Sequence, residues 1–199
     1  MTLKARWLWP LLLTLLGFSL RLYQIDKTTF RGDEATTIQY WMLQPLSVTI
    51  PQQLTEDPHP ILAYALYRGW GLLVGQTPLA ARMLSALAGT LAIPLMIRFA
   101  QHITRSRWIA WISGFLWAIH PYLIWHSQDA RNYALWSTAS LAALWFAVRA
   151  LDRDRPKDWL LYIGVASIAA YIYYLEAFML GALSLFVLVA YWHQRRMWW

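Results

Sequence analysis

The chain has 199 residues, of which 59% are hydrophobic and 14% charged, and it carries 17 Lys and Arg against 10 Asp and Glu for a formal charge of +7. This composition excludes a disordered chain, and the absence of cysteine excludes a disulfide scaffold and a cysteine-ligated zinc domain. There is also too little polar sequence to cover a soluble domain. The composition implies a polytopic membrane protein whose basic excess sets orientation and has no bearing on nucleic acid.

The first apolar segment, about residues 7–22, is preceded by Lys4 and Arg6. It is followed by Arg21, Tyr23 and Asp26 with no small-residue cleavage site, which marks an uncleaved anchor. Five further segments, about 79–100, 108–125, 133–151, 159–175 and 177–192, approach the roughly 20 residues needed to cross a bilayer. Trp and Tyr gather at several of their ends, as at membrane interfaces. The apolar stretch Ile61 to Gly75 contains Arg68 and is about 22 Å long as a helix, short of a bilayer core of about 30 Å. It suits either a seventh span or a helix lying at the surface.

Charge decides between the two. With six spans and both termini cytoplasmic, 11 of the 17 basic residues lie inside and 6 outside, while 3 acids lie inside and 7 outside. A seventh span would turn three basic loops outward, against the positive-inside rule. The expected fold is therefore an all-α, polytopic transmembrane helical bundle of about six spans, one module over 1–199. A long outer loop covers about residues 23–78.

That loop and its neighbours hold the polar chemistry. Asp33-Glu34 open a helical run to about Leu43, stopped by Pro45. Glu56-Asp57-Pro58-His59-Pro60 forms a rigid turn before the surface helix. His126 to Tyr133, with Asp129 and Arg131, follows the third span, and Tyr173, Tyr174 and Glu176 occupy the turn before the sixth. Topology puts all of them on the outer side, free to converge on one site. Each also has a plainer reading: a helix cap for Asp33-Glu34, a turn residue for His59, a solvated pair for Asp129 and Arg131. No metal-ligand spacing or phosphate-cradling glycine motif stands out.

Four motifs in order carry a resemblance: Gly32-Asp33-Glu34-Ala35; Asp57 to Tyr64; Ala81-Arg82-Met83-Leu84-Ser85-Ala86-Leu87; and Ser127 to Leu135. Together they resemble the N-terminal module of glycosyltransferase family 39-like proteins, relatives of the protein O-mannosyltransferases and the lipid A aminoarabinose transferases, in the GT-C class. The resemblance implies two juxtamembrane helices in the first outer loop, one begun by Asp33 and one formed by 61–75. The chain departs from the family at Ile61 and Ala63, where His-Pro-Pro-Leu-Tyr is common, and at Asp129, where Glu is common. It also has no histidine near the end of the fifth span, where many relatives carry Thr-His-Tyr. Family enzymes continue through further spans, so the chain is expected to be part of a longer enzyme.

The resemblance implies transfer of a sugar from a polyprenyl-phosphate donor to an acceptor hydroxyl of a protein, lipid or glycan, on the outer face of a plasma (inner) membrane. Asp33 is the expected general base, with Glu34 supporting it or touching the acceptor. Arg131 is the expected phosphate ligand, because a guanidinium binds two oxygens at once. Asp129 would orient Arg131 or contact substrate. Asp57, His59 and Tyr133 would line the site, and Arg82 is a second phosphate candidate because a charge within a span is costly unless used or paired. The partners expected are the lipid-linked donor, membrane lipids and the acceptor. No cofactor is compelled, and a divalent cation stays open. Competing readings are a non-catalytic or partner-dependent remnant, which continuation of the reading frame past Trp199 would exclude, and a small transporter component, which predicts ionisable residues deep in the spans.

Overall fold

The computed structural model describes residues 3–30, 32–56 and 59–196, with the side chains of 3–6, 56 and 190–196 left aside. Its elements are helical among the described residues: α1 (Leu3–Leu22), α2 (Gly32–Thr36) continuing into a π-helical stretch (Thr37–Leu43), α3 (Leu46–Glu56), α4 (Ile61–Val74), α5 (Pro78–Thr104), α6 (Arg107–Ile119), α7 (Pro121–Ser127), α8 (Asn132–Arg153), α9 (Pro156–Ile172) and α10 (Glu176–Arg196). The all-α expectation therefore holds. Two of these, α5 and α8, are long and apolar enough to cross a membrane, and the apolar stretches of α1, α4 and α10 are shorter.

α5 is the central helix. Its buried face is rich in small residues, among them Ala81, Ser85, Ala86, Gly89 and Ala92, and packs against α1, α6 and α8. α8 packs along α9 through a similar seam of Ala143, Ala147, Ala150, Ala166 and Ala169. Small residues are what apolar helices use to approach when burial of apolar surface offers no advantage. The large apolar side chains point outward instead, including Leu160, Phe178, Phe186 and Leu188. Such a surface suits lipid and not water.

Helix boundaries differ from the sequence reading in three places. The third apolar segment is broken at His120, because Pro121 holds the residue before it in an extended conformation and starts α7. The fifth, read to about residue 175, ends at Ile172, which leaves Tyr173 in the turn where the sequence reading had put it. The loop between α1 and α5 carries a helix absent from the sequence reading, α3, which starts directly after Pro45. The Pro45 carbonyl accepts from the N–H groups of Val48 and Thr49, so the proline that ends one helix opens the next.

α4 is tied down by side chains. Arg68 donates from Nη1 to the carbonyls of Trp41 (2.9 Å) and Gln44 (2.8 Å), and Trp70 donates to the Ala80 carbonyl (2.7 Å). Ile38, Met42, Tyr67, Ala81 and Ala130 form an apolar cluster that clamps the loop helices onto α5. Its outer edge, with Leu72 and Leu73, stays exposed.

Candidate active site

The loop helices and the α7–α8 turn meet at one end of α5, and two buried arginines organise the junction. Arg82, on the first turns of α5, grips Glu34 with its Nε and Nη2, at 2.7 Å to Oε1 and 2.7 Å to Oε2. Its remaining N–H groups donate to the carbonyls of Ile25, Thr28 and Thr29. All five donors of the guanidinium are thus engaged, which leaves none for a phosphate. The sequence reading put Arg82 forward as a second phosphate candidate; in the structure its donors pin the 25–29 turn and α2 to α5. Glu34 is equally committed, since Oε1 also accepts from the Ala130 N–H at 3.0 Å. Both side chains are 1% exposed.

Arg131 is arranged differently. It is 4% exposed, in the turn before α8. Nη1 donates to the Tyr64 hydroxyl at 3.0 Å and, less closely, to the Asp33 carbonyl and Thr37 Oγ1. Nη2 faces Asp33 Oδ2 at 3.8 Å, and Nε has no partner. The Nε–Nη2 edge is the one that accepts two oxygens side by side. In Arg82 that edge is filled by Glu34; in Arg131, among the described residues, Nη2 has only the 3.8 Å approach of Asp33 and the buried Nε has no hydrogen-bond partner. Burial works against the Arg131 charge, but the neighbouring Tyr64 and Asp33 more than offset it and hold the pKa above its ordinary value.

Asp33 is 75% exposed beside this nearly buried cation. The adjacent carboxylates of the Asp-Glu pair therefore divide, one to solvent and one to the core. Gly32, at φ +41°, supplies the backbone turn that starts the helix there.

Tyr64 and Tyr67, one helical turn apart on α4, close the floor. Tyr64 stacks on Trp41 at 5.2 Å. The Tyr67 hydroxyl lies against Ser85 Oγ and donates to the Arg131 carbonyl at 3.0 Å, and burial raises its pKa, so it stays neutral. Ser85 in turn donates to the Asp129 carbonyl at 2.6 Å. Tyr64 and Ser85 fell within the motifs quoted from the sequence without a role, and Tyr67 was not singled out; its spacing one helical turn from Tyr64 on α4 was the available signal.

His59 stacks on Tyr173 at 5.6 Å, and Tyr173 meets Tyr133 and Trp136 edge-on. Burial, and then Tyr133, push the Tyr173 phenol above its usual pKa. His59 and Tyr133 thus join one aromatic wall next to Arg131. Asp129 is half-buried, and its backbone is what the fold visibly uses. Glu176 is buried and accepts from Trp136 at 2.8 Å, which makes it a brace for that wall. Asp57 lies outside the described residues. Among the described residues no three His, Asp or Glu side chains gather in a way that could hold a metal ion.

Residues 58–199 match the family model described as dolichyl-phosphate-mannose-protein mannosyltransferase. The match covers His59, Arg82, Asp129, Arg131 and Tyr133 and begins after Asp33 and Glu34. No curated protein and no solved structure matches the chain.

Proposed function

The chain belongs to the dolichyl-phosphate-mannose-protein mannosyltransferase family, a GT-C type of membrane glycosyltransferase, and from that premise we propose that it moves a sugar from a polyprenyl-phosphate donor to an acceptor hydroxyl at the outer membrane face. The observation that carries the reading is a solvent-open carboxylate, Asp33, set 3.8 Å from Nη2 of a buried guanidinium, Arg131, whose buried Nε has no hydrogen-bond partner among the described residues.

In this reading Asp33 takes the proton of the acceptor hydroxyl as its oxygen attacks the anomeric carbon. The bond from that carbon to the phosphate oxygen breaks, and the electron pair leaves with the lipid phosphate. Arg131 receives the growing negative charge on the phosphate through Nε and Nη2. Attack opposite the leaving group inverts the anomeric centre. Asp33 then returns its proton to water. His59, Tyr133 and Tyr173 offer flat apolar faces to the sugar, and Glu34 holds the Asp33 turn in place through Arg82.

The same reading takes α1, α5, α6 with α7, α8, α9 and α10 as six spans, with both termini inside and the loop helices at the outer surface. The charge division supports it: +8 inside (11 minus 3) and −1 outside (6 minus 7).

The test is Asp33→Asn in the full chain, in membranes supplied with radiolabelled polyprenyl-phosphate sugars. Loss of a general base lowers transfer by about 10²- to 10⁴-fold. Transfer at the parent rate in a folded Asp33→Asn protein overturns the base assignment.

A further inference from the structure

At the end of α5 opposite Arg82, two cavities meet. Arg82 and Gln101 are 19 residues apart on one helix, so this region lies about 28 Å from the proposed reaction. The first cavity, of about 640 Å³, is a basin between α5 and α8 lined by Arg98, Gln101, His102, Arg105, Arg149 and Arg153. Its only carboxylate, Asp152, is already bonded to His102 at 2.8 Å. Arg149 has a partner in Asp158 at 2.6 Å. Arg98, Arg105 and Arg153 have no carboxylate partner among the described residues, so the basin holds a strong positive excess.

The second cavity, of about 340 Å³, runs off the first between α1, α5 and α6. It shares Arg98 and Gln101 with the basin, and apart from Arg107 its other walls are apolar, chiefly Trp7, Pro10, Pro94, Ile97 and Trp111. Here the lining is mostly apolar. Arg98 stacks over the Trp7 ring at 4.9 Å, at the seam between the two. A basic basin opening into an apolar groove has the polarity of an amphiphile with an anionic head and a hydrocarbon tail. The surrounding surface is itself apolar, with Trp108, Ile103 and Ile109 exposed.

We propose that basin and groove together bind one anionic phospholipid, with its phosphate among Arg98, Arg105 and Arg153 and an acyl chain along Pro10 and Pro94. Zwitterionic lipids carry their own cation and gain less from such a basin, whereas basic pockets between helices favour anionic headgroups. The inference stands on the cavities alone and is independent of the proposed sugar transfer.

Native mass spectrometry of the delipidated full chain, offered equal phosphatidylglycerol and phosphatidylcholine, tests it. Phosphatidylglycerol is expected to be retained about tenfold over phosphatidylcholine, the preference that 1.4 kcal/mol gives. Arg98→Gln with Arg105→Gln, both at exposed positions, is expected to bring the two lipids to parity with helicity unchanged. Parity in the parent chain overturns the proposal without recourse to any variant. Undiminished preference in a folded double variant overturns it as well. Glycerol 3-phosphate or inorganic phosphate displacing the lipid at equal concentration shows a free-anion site in which the groove has no part, and overturns the lipid assignment.

Discussion

Glu34 and Arg82, 48 residues apart in sequence, form a two-pronged ion pair with both contacts at 2.7 Å and both side chains 1% exposed. This pair fastens the loop after α1 to the central helix and so fixes where its neighbour Asp33 stands.

Glu34→Ala is expected to destabilise the fold by about 3–5 kcal/mol, because it strands a buried guanidinium. Thermal unfolding in detergent reads the loss as a lower midpoint. A midpoint equal to the parent's would mean that the pair does not hold the loop.

Arg131→Lys keeps the charge and removes the fork. If Arg131 binds the donor phosphate through Nε and Nη2, the apparent KM for the lipid-linked sugar rises about 10- to 100-fold, the range given by about 1.5–3 kcal/mol for a hydrogen bond to a charged group. Initial rates against donor concentration separate KM from kcat. An unchanged donor KM assigns Arg131 to structure alone.

Tyr67→Phe removes a hydroxyl that reaches both Ser85 and the Arg131 carbonyl. Ser85 keeps its bond to the Asp129 carbonyl, so the expected cost is modest, about 1–2 kcal/mol in unfolding free energy. Arg131 loses one anchor of its backbone, and the apparent donor KM is expected to rise, by less than in Arg131→Lys. A variant with parent stability and parent donor KM would show that this hydroxyl does not position Arg131.

Gly89→Ala drives a Cβ into Ser127 Oγ and to 3.1 Å from Arg21 Nε. Arg21 is itself buried and bonded to Ser127 at 3.1 Å, so the clash falls on an organised contact between α1, α5 and α7. Overpacking there is expected to cost about 1–3 kcal/mol. Gly164→Ala, whose Cβ would meet nothing within 4 Å, serves as the matched control and is expected to be neutral or slightly stabilising. Equal unfolding midpoints for the two variants would refute the account of α1–α5–α7 packing.

Much of the helix plan was legible because apolar runs and proline punctuation are local signals. The stop at Pro45 and a helix starting at Ile61 follow from neighbouring residues, and both recur in the structure. The break at His120 was equally written in Pro121 but lay inside an apolar run, where hydropathy outweighs a single proline. α3 escaped because its 11 residues include Pro51 and mix polar with apolar positions. The candidate site was legible as a set of residues and not as a set of partners. Nothing local distinguishes Asp33 from Glu34, or Arg82 from Arg131.

By itself the sequence determined an all-helical, apolar chain with its basic excess divided between loops, and it named the polar residues available for chemistry. Composition, span length and loop charge are sums over neighbours, so no fold is needed to read them. Only the tertiary structure decided that Arg82 is saturated while Arg131 keeps a buried Nε without a hydrogen-bond partner among the described residues, and that Glu34 is buried while Asp33 meets solvent. Those outcomes depend on which carbonyls and carboxylates arrive from 48 to 98 residues away. A guanidinium can accept a ligand only where the fold has left its donors unspent.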